Sequence, residues 1–259
     1  MEHPTQNDKY VIKIFNRKQQ KLEEEKIYGE KFIRWLYGSP VGKNLSPLLT
    51  RPFLSRAYGL LQDIPWGKRK IAKFVSNFNI PLQDFLPHEA RSQEHPYHTF
   101  NEFFIRRFKE GKRPFKKQEH VLTAFAEGRY LAFEQIDGVE KFPVKGKFLT
   151  ANKILKKTKW AQHFEGGPLL ISRLCPVDYH RFHFPDDGKM LDFYKVKGKL
   201  HSVNPLALAK FDEIFCENER HISILETKNF GLLAYVEVGA ICVGKIVQAK
   251  KFAPNLPTQ

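Results

Sequence analysis

Residues 221–227, HISILET, and residues 232–247, LLAYVEVGAICVGKIV, are short alternating runs of β-branched, aliphatic and aromatic residues. This pattern is typical of β-strands with one buried face. Three earlier runs share it: RYLAFEQ (129–135), PLLISRL (168–174) and MLDFYKVKGKLHSV (190–203). Strands therefore dominate from about residue 119, and we leave open which of them pair. We expect their core to include Leu169, Leu170, Ile171, Ile222, Ile224, Leu233, Tyr235, Val236 and Val238.

The N-terminal part has a different pattern. YVIKIF and KLEEEKIY flank NRKQQ and predict a hairpin. HTFNEFFIRRFKEG (98–111) predicts a helix with a Thr99–Glu102 capping box and a stop at Gly111. Further short helices are predicted over 29–37, 46–62 and 68–78. The whole is an α+β fold in which a basic helical N-terminal region precedes a mostly antiparallel β domain. We divide it into an N-terminal hairpin (1–28), a helical region (29–118) and a β-rich domain (119–259).

The charge is strongly positive, with 43 Lys and Arg against 28 Asp and Glu, a formal net charge of +15. Such an excess favours an anionic partner, either nucleic acid or an acidic lipid surface. Residues 31–62 contain five basic residues, no acidic residue and many aliphatic and aromatic side chains, and WGKRKIAKF (66–74) repeats the mixture. This combination indicates a membrane-facing region at an anionic surface. In the alternative interpretation, the aliphatic side chains pack on the main domain and the charges are only solvated.

Other classes of protein are less consistent with the sequence. No apolar run approaches the ~18 residues that cross a bilayer. The polar N-terminus MEHPTQNDKY resembles no targeting signal, and three unpaired cysteines indicate a reducing compartment, so we expect a cytoplasmic protein. Because no nucleic-acid-binding motif is present, we expect no nucleic acid partner.

RLCPVDYHRFHFP (173–185) places His180 and His183 three residues apart between two prolines. In an extended segment, residues three apart point to opposite faces, so the two imidazoles would not bind one metal ion. The chain also lacks HExxH and paired CxxC motifs, and we expect no metal. From spacing alone, a structural role for these histidines remains open beside a catalytic one.

The same stretch resembles the R-L-x-P-x-D-Y-H-R-x-H-x-P segment of the pyruvoyl-dependent phosphatidylserine decarboxylases. Further blocks are similar to segments of that family, in the same order, over roughly residues 29–247. They are LYGSPVGKNLSPLLTRPFLSRAYG (36–59), TFNEFFIRRFKEGKRPF (99–115), GKLHSVNP (198–205), FCENERHISILET (215–227) and VEVGAICVGKI (236–246).

The resemblance implies decarboxylation of phosphatidylserine to phosphatidylethanolamine. Family members use a pyruvoyl group made from a serine of their own chain, which cuts itself at a Gly-Ser-Thr sequence into a β chain and an α chain. His183 matches the histidine that activates this serine, and His180 matches a second active-site histidine that handles protons. Glu127 matches the carboxylate of a P-A-D-G motif. Arg173, Asp178 and Arg181 are expected to fix the segment through ion pairs; the alternative for an arginine is contact with the lipid phosphate.

The sequence also departs from the family pattern. Glu127 in FAEG adds a methylene to the family's aspartate, Lys245 replaces a serine, and Gly-Ser-Thr does not occur. We therefore expect a β-chain-like portion whose catalytic domain is incomplete at its C-terminal end and whose pyruvoyl group comes from an α chain. The alternative is a truncated, inactive relative that keeps the fold and anionic-lipid binding. We expect peripheral attachment to the cytoplasmic face of a bacterial inner membrane, and a homodimer is left open.

Overall fold

The computed structural model describes residues 12–25, 28–65, 67–89, 91–115, 118–135, 149–208 and 213–248. The longer helices precede residue 80, and the longer strands, all paired in antiparallel sheets, follow residue 128. The predicted α+β fold class is confirmed.

Two strands, β1 (Lys13–Asn16) and β2 (Lys21–Glu24), form an antiparallel hairpin near the N-terminus. Asn16 stabilises the turn, because its side-chain oxygen accepts hydrogen bonds from the N–H groups of Lys18 and Gln19. A hairpin is thus present within residues 1–28, as predicted, although residues 1–11, 26 and 27 lie outside the described residues.

Four helices come next: α1 (Glu30–Gly38), α2 (Pro40–Leu49), α3 (Pro52–Leu61) and α4 (Gly67–Phe78). The prediction of one helix over 46–62 is wrong, since the chain leaves the helical conformation between α2 and α3. Arg51 is extended, with φ −70° and ψ 138°, the conformation that a following proline favours. Pro52 then occupies the first position of α3, where its missing N–H is not needed.

The fifth helix, α5 (Phe100–Phe104), begins as predicted, with the Glu102 N–H donating to Thr99 Oγ1 at 3.1 Å. Its predicted extension to Gly111 is wrong. Residues Arg107–Phe108 instead form β4, which pairs with β3 (Phe85–Leu86). The Phe108 and Phe85 rings stack with centroids 4.5 Å apart, and this long-range contact overrides the helical pattern.

Two antiparallel sheets form the second half. One pairs β5 (Arg129–Phe133) with β6 (Leu169–Arg173), and the other has β8 (Arg220–Thr227) between β7 (Gly188–Val196) and β9 (Gly231–Val238). The short helices here are α6 (Ala151–Leu155), α7 (Thr158–Phe164), α8 (Pro205–Leu208) and α9 (Ile214–Glu217). All five predicted strand regions therefore contain a strand.

The predicted core is only partly correct. Ile222, Ile224 and Tyr235 are buried, whereas Leu170 is 37% exposed and the remaining predicted positions are partly buried. Leu170 lies on β6, whose sheet has two strands in the described part of the chain, so less of its surface is covered.

The N-terminal helices and the β-rich half share a core. Ile33, Leu36 and Tyr37 of α1 pack against Leu206, Ala207 and Ile214. Tyr37 Oη also accepts a hydrogen bond from the Ser202 N–H at 2.8 Å. The division into three parts remains an interpretation, and helix α1 is attached directly to the β-rich half.

Candidate active site

Two chain segments, one containing Glu127 and the other His183, lie side by side. Ala126 and Phe182 form an antiparallel bridge, and the His183 N–H donates to the Phe125 carbonyl at 2.7 Å. We call residues 125–127 and 180–183 the site floor. The structure therefore brings the histidine motif beside the segment that carries Glu127. Pro185 limits helix formation here, which leaves the segment extended and free to pair.

A buried ion-pair network anchors the residues that lead into the site floor. Glu25, whose side chain is only 2% exposed, lies 2.5 Å from Arg173 Nη2 and 2.8 Å from Arg129 Nε. Arg129 also pairs with Asp178, which accepts a hydrogen bond from the Cys175 N–H at 2.6 Å. Arg173 and Asp178 thus fix the segment through ion pairs, as predicted. Arg181 does not: among the described residues it has no carboxylate partner, and it donates instead to the Ile105 carbonyl. Glu25 connects this segment to the N-terminal hairpin.

Cys175 belongs to this anchor rather than to a reactive centre. Its Sγ lies 2.8 Å from Glu25 Oε1, to which it donates, and Arg173 Nη1 donates to it at 3.1 Å. Burial raises the pKa of the thiol to about 12, so it stays protonated and unreactive at neutral pH.

His180 is held neutral against α5. Its ring stacks on Phe104 with centroids 3.9 Å apart, and its Nε2 lies 2.8 Å from the Cys175 carbonyl. Because a carbonyl only accepts, Nε2 carries the proton and Nδ1 has a free lone pair in the neutral ring. Burial lowers the pKa of His180 to about 4. The ring is therefore a fixed, neutral imidazole.

His183 is more exposed to solvent than His180. The ring packs edge-on against Phe115, with centroids 5.1 Å apart, and lies 6.3 Å from the Tyr179 ring. Partial desolvation, helped by the charge of Arg181, lowers the pKa of His183. It is thus a neutral and accessible base at pH 7.

The Glu127 carboxylate is paired with Arg113. Its Oε1 accepts hydrogen bonds from Arg113 Nη2 at 3.0 Å and Nε at 3.2 Å. The Arg113 guanidinium in turn lies over the Phe108 ring, 4.4 Å from its centroid. The structure brings the Glu127 and His183 backbones together, whereas the contacts of the described residues pair the Glu127 side chain with Arg113 rather than with His183.

The position after Glu127 has no room for a side chain, which explains the glycine at residue 128. A Cβ at this position would lie 2.6 Å from the Arg173 carbonyl oxygen, a contact that real side chains do not make. Only glycine lets this backbone approach β6 so closely. The close approach fixes the position of Glu127 relative to the histidine segment.

Comparison with known proteins shows to which family the chain belongs. A family model described as phosphatidylserine decarboxylase matches residues 100–256, which include the whole site floor. The chain belongs to the phosphatidylserine decarboxylase family. Members of this family are carboxy-lyases, and the family assignment made from the sequence is confirmed.

Relatives match over nearly the whole chain. The chain is 40% identical over 246 residues to a phosphatidylserine decarboxylase proenzyme of Clostridium novyi (strain NT), covering 95% of this chain and 81% of that protein. It is 41% identical over 240 residues to the proenzyme of Clostridium kluyveri, with 92% and 79% covered. The proenzyme of Clostridium perfringens (strain SM101 / Type A) is 40% identical over 239 residues, with 92% and 80% covered.

Sequence reasoning did not identify two residues near the site. Glu25 lies 148 residues from its partner Arg173, and only its position in the acidic run KLEEEK distinguishes it. Arg113 occurs in the block TFNEFFIRRFKEGKRPF, but nothing in that block indicates that it would bind Glu127. Both contacts depend on long-range packing.

Proposed function

We propose that this chain decarboxylates phosphatidylserine to phosphatidylethanolamine, with His180, His183 and Glu127 at the active site. The observation that carries the proposal is the pairing of the two segments of the site floor in a member of this family. A pyruvoyl group supplies the electron sink, which accepts the electron pair left behind when the carboxylate leaves as carbon dioxide. We assign its source to an α segment with a Gly-Ser-Thr sequence, which the printed sequence does not contain.

The residues present fit the formation of such a group. Activating a serine hydroxyl requires a neutral base that the hydroxyl can reach and a carboxylate that orients the base. His183 is exposed and its pKa is lowered, so it can accept the hydroxyl proton at neutral pH. Glu127 is carried by the adjacent segment. For it to orient His183, it must share or leave its contact with Arg113.

His180 is suited to a different task. The Cys175 carbonyl fixes its ring and the position of its Nε2 proton. Its Nδ1 lone pair then has one orientation in which to accept and return a proton. We assign His180 to proton handling during decarboxylation and His183 to activation of the serine.

Phosphatidylserine is a membrane lipid, and we assign the membrane contact to α1–α3. Many apolar side chains of these helices do not pack on the rest of the protein. Leu60 is 71% exposed, Val41 60% and Phe53 55%. We call this surface the lipid face; its further exposed residues are Phe32, Trp35, Leu45, Leu48, Tyr58 and Leu61. Five basic residues lie in the same segment, 31–62. Exposed aliphatic and basic side chains together favour an anionic bilayer over nucleic acid.

The lipid face suits peripheral binding. None of the helices in the described part of the chain has both the length and the apolarity to cross a bilayer. We propose attachment to the cytoplasmic face of a bacterial inner membrane, with the exposed apolar side chains of the lipid face inserted among the head groups.

The experiment that tests the function is reconstitution. The full chain is co-expressed with an α segment bearing Gly-Ser-Thr, supplied in trans or fused to it, and offered phosphatidylserine vesicles. Mass spectrometry measures both the pyruvoyl-capped α segment and the phosphatidylethanolamine formed. Formation of both supports the proposal, and an α segment that is cleaved without any lipid product contradicts it.

A further inference from the structure

A cleft of about 240 Å³ opens beside the site floor. Its walls include residues 86–89, α5 and three arginines: Arg106, Arg107 and Arg181. The volume is below the ~300–1,000 Å³ typical of pockets for drug-sized ligands. It therefore suits a small polar group rather than an acyl chain.

The charges in the cleft leave an excess of cations. Glu102 lies 2.6 Å from Arg91, and Glu89 lies 3.2 Å from Arg107, so both carboxylates have basic partners. Arg106 and Arg181 have no carboxylate partner among the residues that the structure describes. Arg106 is 2% exposed and adds positive charge to the wall of the cleft, whereas the exposed Arg181 guanidinium remains available to an anion.

Each of these two arginines is held in place by backbone carbonyls. Arg181 Nε donates to the Ile105 carbonyl at 2.8 Å, a bond that leaves its two terminal nitrogens available in the described part of the chain. Arg106 Nη2 donates to the Val177 carbonyl at 2.8 Å and to the Asp178 carbonyl at 3.0 Å. Two cleft residues also have buried nitrogen atoms without a partner among the described residues, namely Arg106 Nε and His88 Nδ1.

The cleft adjoins the residues of the proposed site. Arg181 directly follows His180 in the sequence, and Phe104, whose ring stacks on His180, directly precedes Ile105 in the cleft wall. An anion bound by Arg181 would therefore lie beside the chain segment that carries His180.

We propose that this cleft binds a phosphate group, with Arg181 as its main ligand and Arg107 at its edge. Guanidinium groups bind phosphate oxygens with paired, charge-assisted hydrogen bonds, which suits an arginine that a carbonyl fixes through Nε and that has no carboxylate partner among the described residues. A lipid head group and free phosphate offer the same chemistry. That the ligand is the head group of phosphatidylserine rests on the proposed function.

The test uses the full chain and isothermal titration with three probes: glycerophosphoserine, inorganic phosphate and L-serine. We expect the two phosphate-bearing probes to bind and L-serine not to bind. Arg181→Gln should weaken binding at least tenfold, and Arg107→Gln several-fold. Lys189→Gln, which removes one exposed charge on β7 outside the cleft, should leave binding unchanged.

The Glu89→Gln variant is included because we expect it to bind phosphate more tightly, a result that misfolding cannot produce. Removing this competing carboxylate frees Arg107 and should tighten binding of phosphate several-fold. Equal affinities in wild type, Arg181→Gln and Glu89→Gln would overturn the proposal. Tighter binding of glycerophosphoserine than of phosphate identifies the head group as the ligand, and the reverse identifies free phosphate; both support a phosphate site.

Failure here is distinguishable from failure of the proposed function. If the reconstituted enzyme is active, and Arg181→Gln neither raises KM nor weakens titrated binding, the cleft assignment alone is wrong. If the cleft binds both phosphate probes but reconstitution yields no phosphatidylethanolamine, the cleft assignment stands and the decarboxylase proposal fails.

Discussion

Arg113 and His183 contact the same carboxylate-bearing segment: Arg113 Nη2 is 3.0 Å from Glu127 Oε1, while the His183 N–H donates to the Phe125 carbonyl. The basic side chain therefore holds the carboxylate whose backbone neighbours the histidine. If Glu127 serves His183 during catalysis, Arg113 competes for it. This competition can be measured in the chain without its α segment.

We expect Arg113→Gln to raise the pKa of His183. The substitution frees the Glu127 carboxylate, and a nearby unpaired anion favours the imidazolium. The pKa of His183 is lowered in the wild type, and we expect a rise of about 0.5–1 unit in a nuclear magnetic resonance titration. Lys189→Gln is the control for general loss of positive charge. An unchanged pKa in Arg113→Gln would show that Glu127 does not reach His183.

Glu25→Gln should destabilise the protein, because it leaves Arg173 and Arg129 with a weakened partner under the site floor. Removing one partner of a fully buried ion pair costs ~3–5 kcal/mol. Arg129 and Arg173 are 27% and 14% exposed, so we expect the lower cost of about 2–3 kcal/mol in urea unfolding. Glu24→Gln, at an exposed position of the same hairpin, should change stability by less than ~0.5 kcal/mol. Equal effects of the two substitutions would contradict the anchoring role of Glu25.

Glu237 should make stability depend on pH. It is 8% exposed, and burial raises its pKa to about 7, while the unfolded value is ~4.3. The folded state then binds this proton more tightly, so the stabilisation present in acid is lost as the pH rises from about 4.5 to 7. His180 and His221, with pKa values lowered to about 4, act in the opposite direction.

A variant isolates the contribution of Glu237. The unfolding free energy of wild type relative to Glu237→Gln should fall by about 2 kcal/mol between pH 5 and pH 7, at ~1.4 kcal/mol per unit. Glu226→Gln, at an exposed position of β8, should show no such slope. A flat difference for Glu237→Gln would mean that this carboxylate is ionised in the folded protein.

The lipid face should bind anionic vesicles in a salt-dependent way. Each Lys or Arg near such a surface contributes ~1 kcal/mol, and salt screens this attraction. Co-sedimentation should therefore be stronger with anionic than with neutral vesicles and weaker at moderate salt. Replacing Phe53 and Leu60 with serine should reduce binding, whereas the same change at exposed Leu122 and Leu191 should not. Equal binding to neutral and anionic vesicles would contradict the assignment.

The sequence predicted those features that depend on local pattern or on family blocks. The strands from residue 129 onward and the Thr99 cap are of this kind. The prediction of a helix over 98–111 is wrong beyond Phe104 because Phe108 stacks on Phe85, a distant partner that sequence periodicity cannot indicate. The roles of Glu25 and Arg113 were missed for the same reason. Ion pairs between distant segments become visible only after the backbone has brought them together.

The most direct test of the central claim is phosphatidylethanolamine formation by the chain reconstituted with a Gly-Ser-Thr-bearing α segment. We expect activity in wild type and in the control His163→Ala, which changes an exposed histidine of α7. His183→Ala should abolish cleavage of the α segment, and His180→Ala should spare cleavage while reducing decarboxylation about 10²-fold or more. Normal cleavage in His183→Ala, or phosphatidylethanolamine formed by the 259-residue chain without any α segment, would contradict the account.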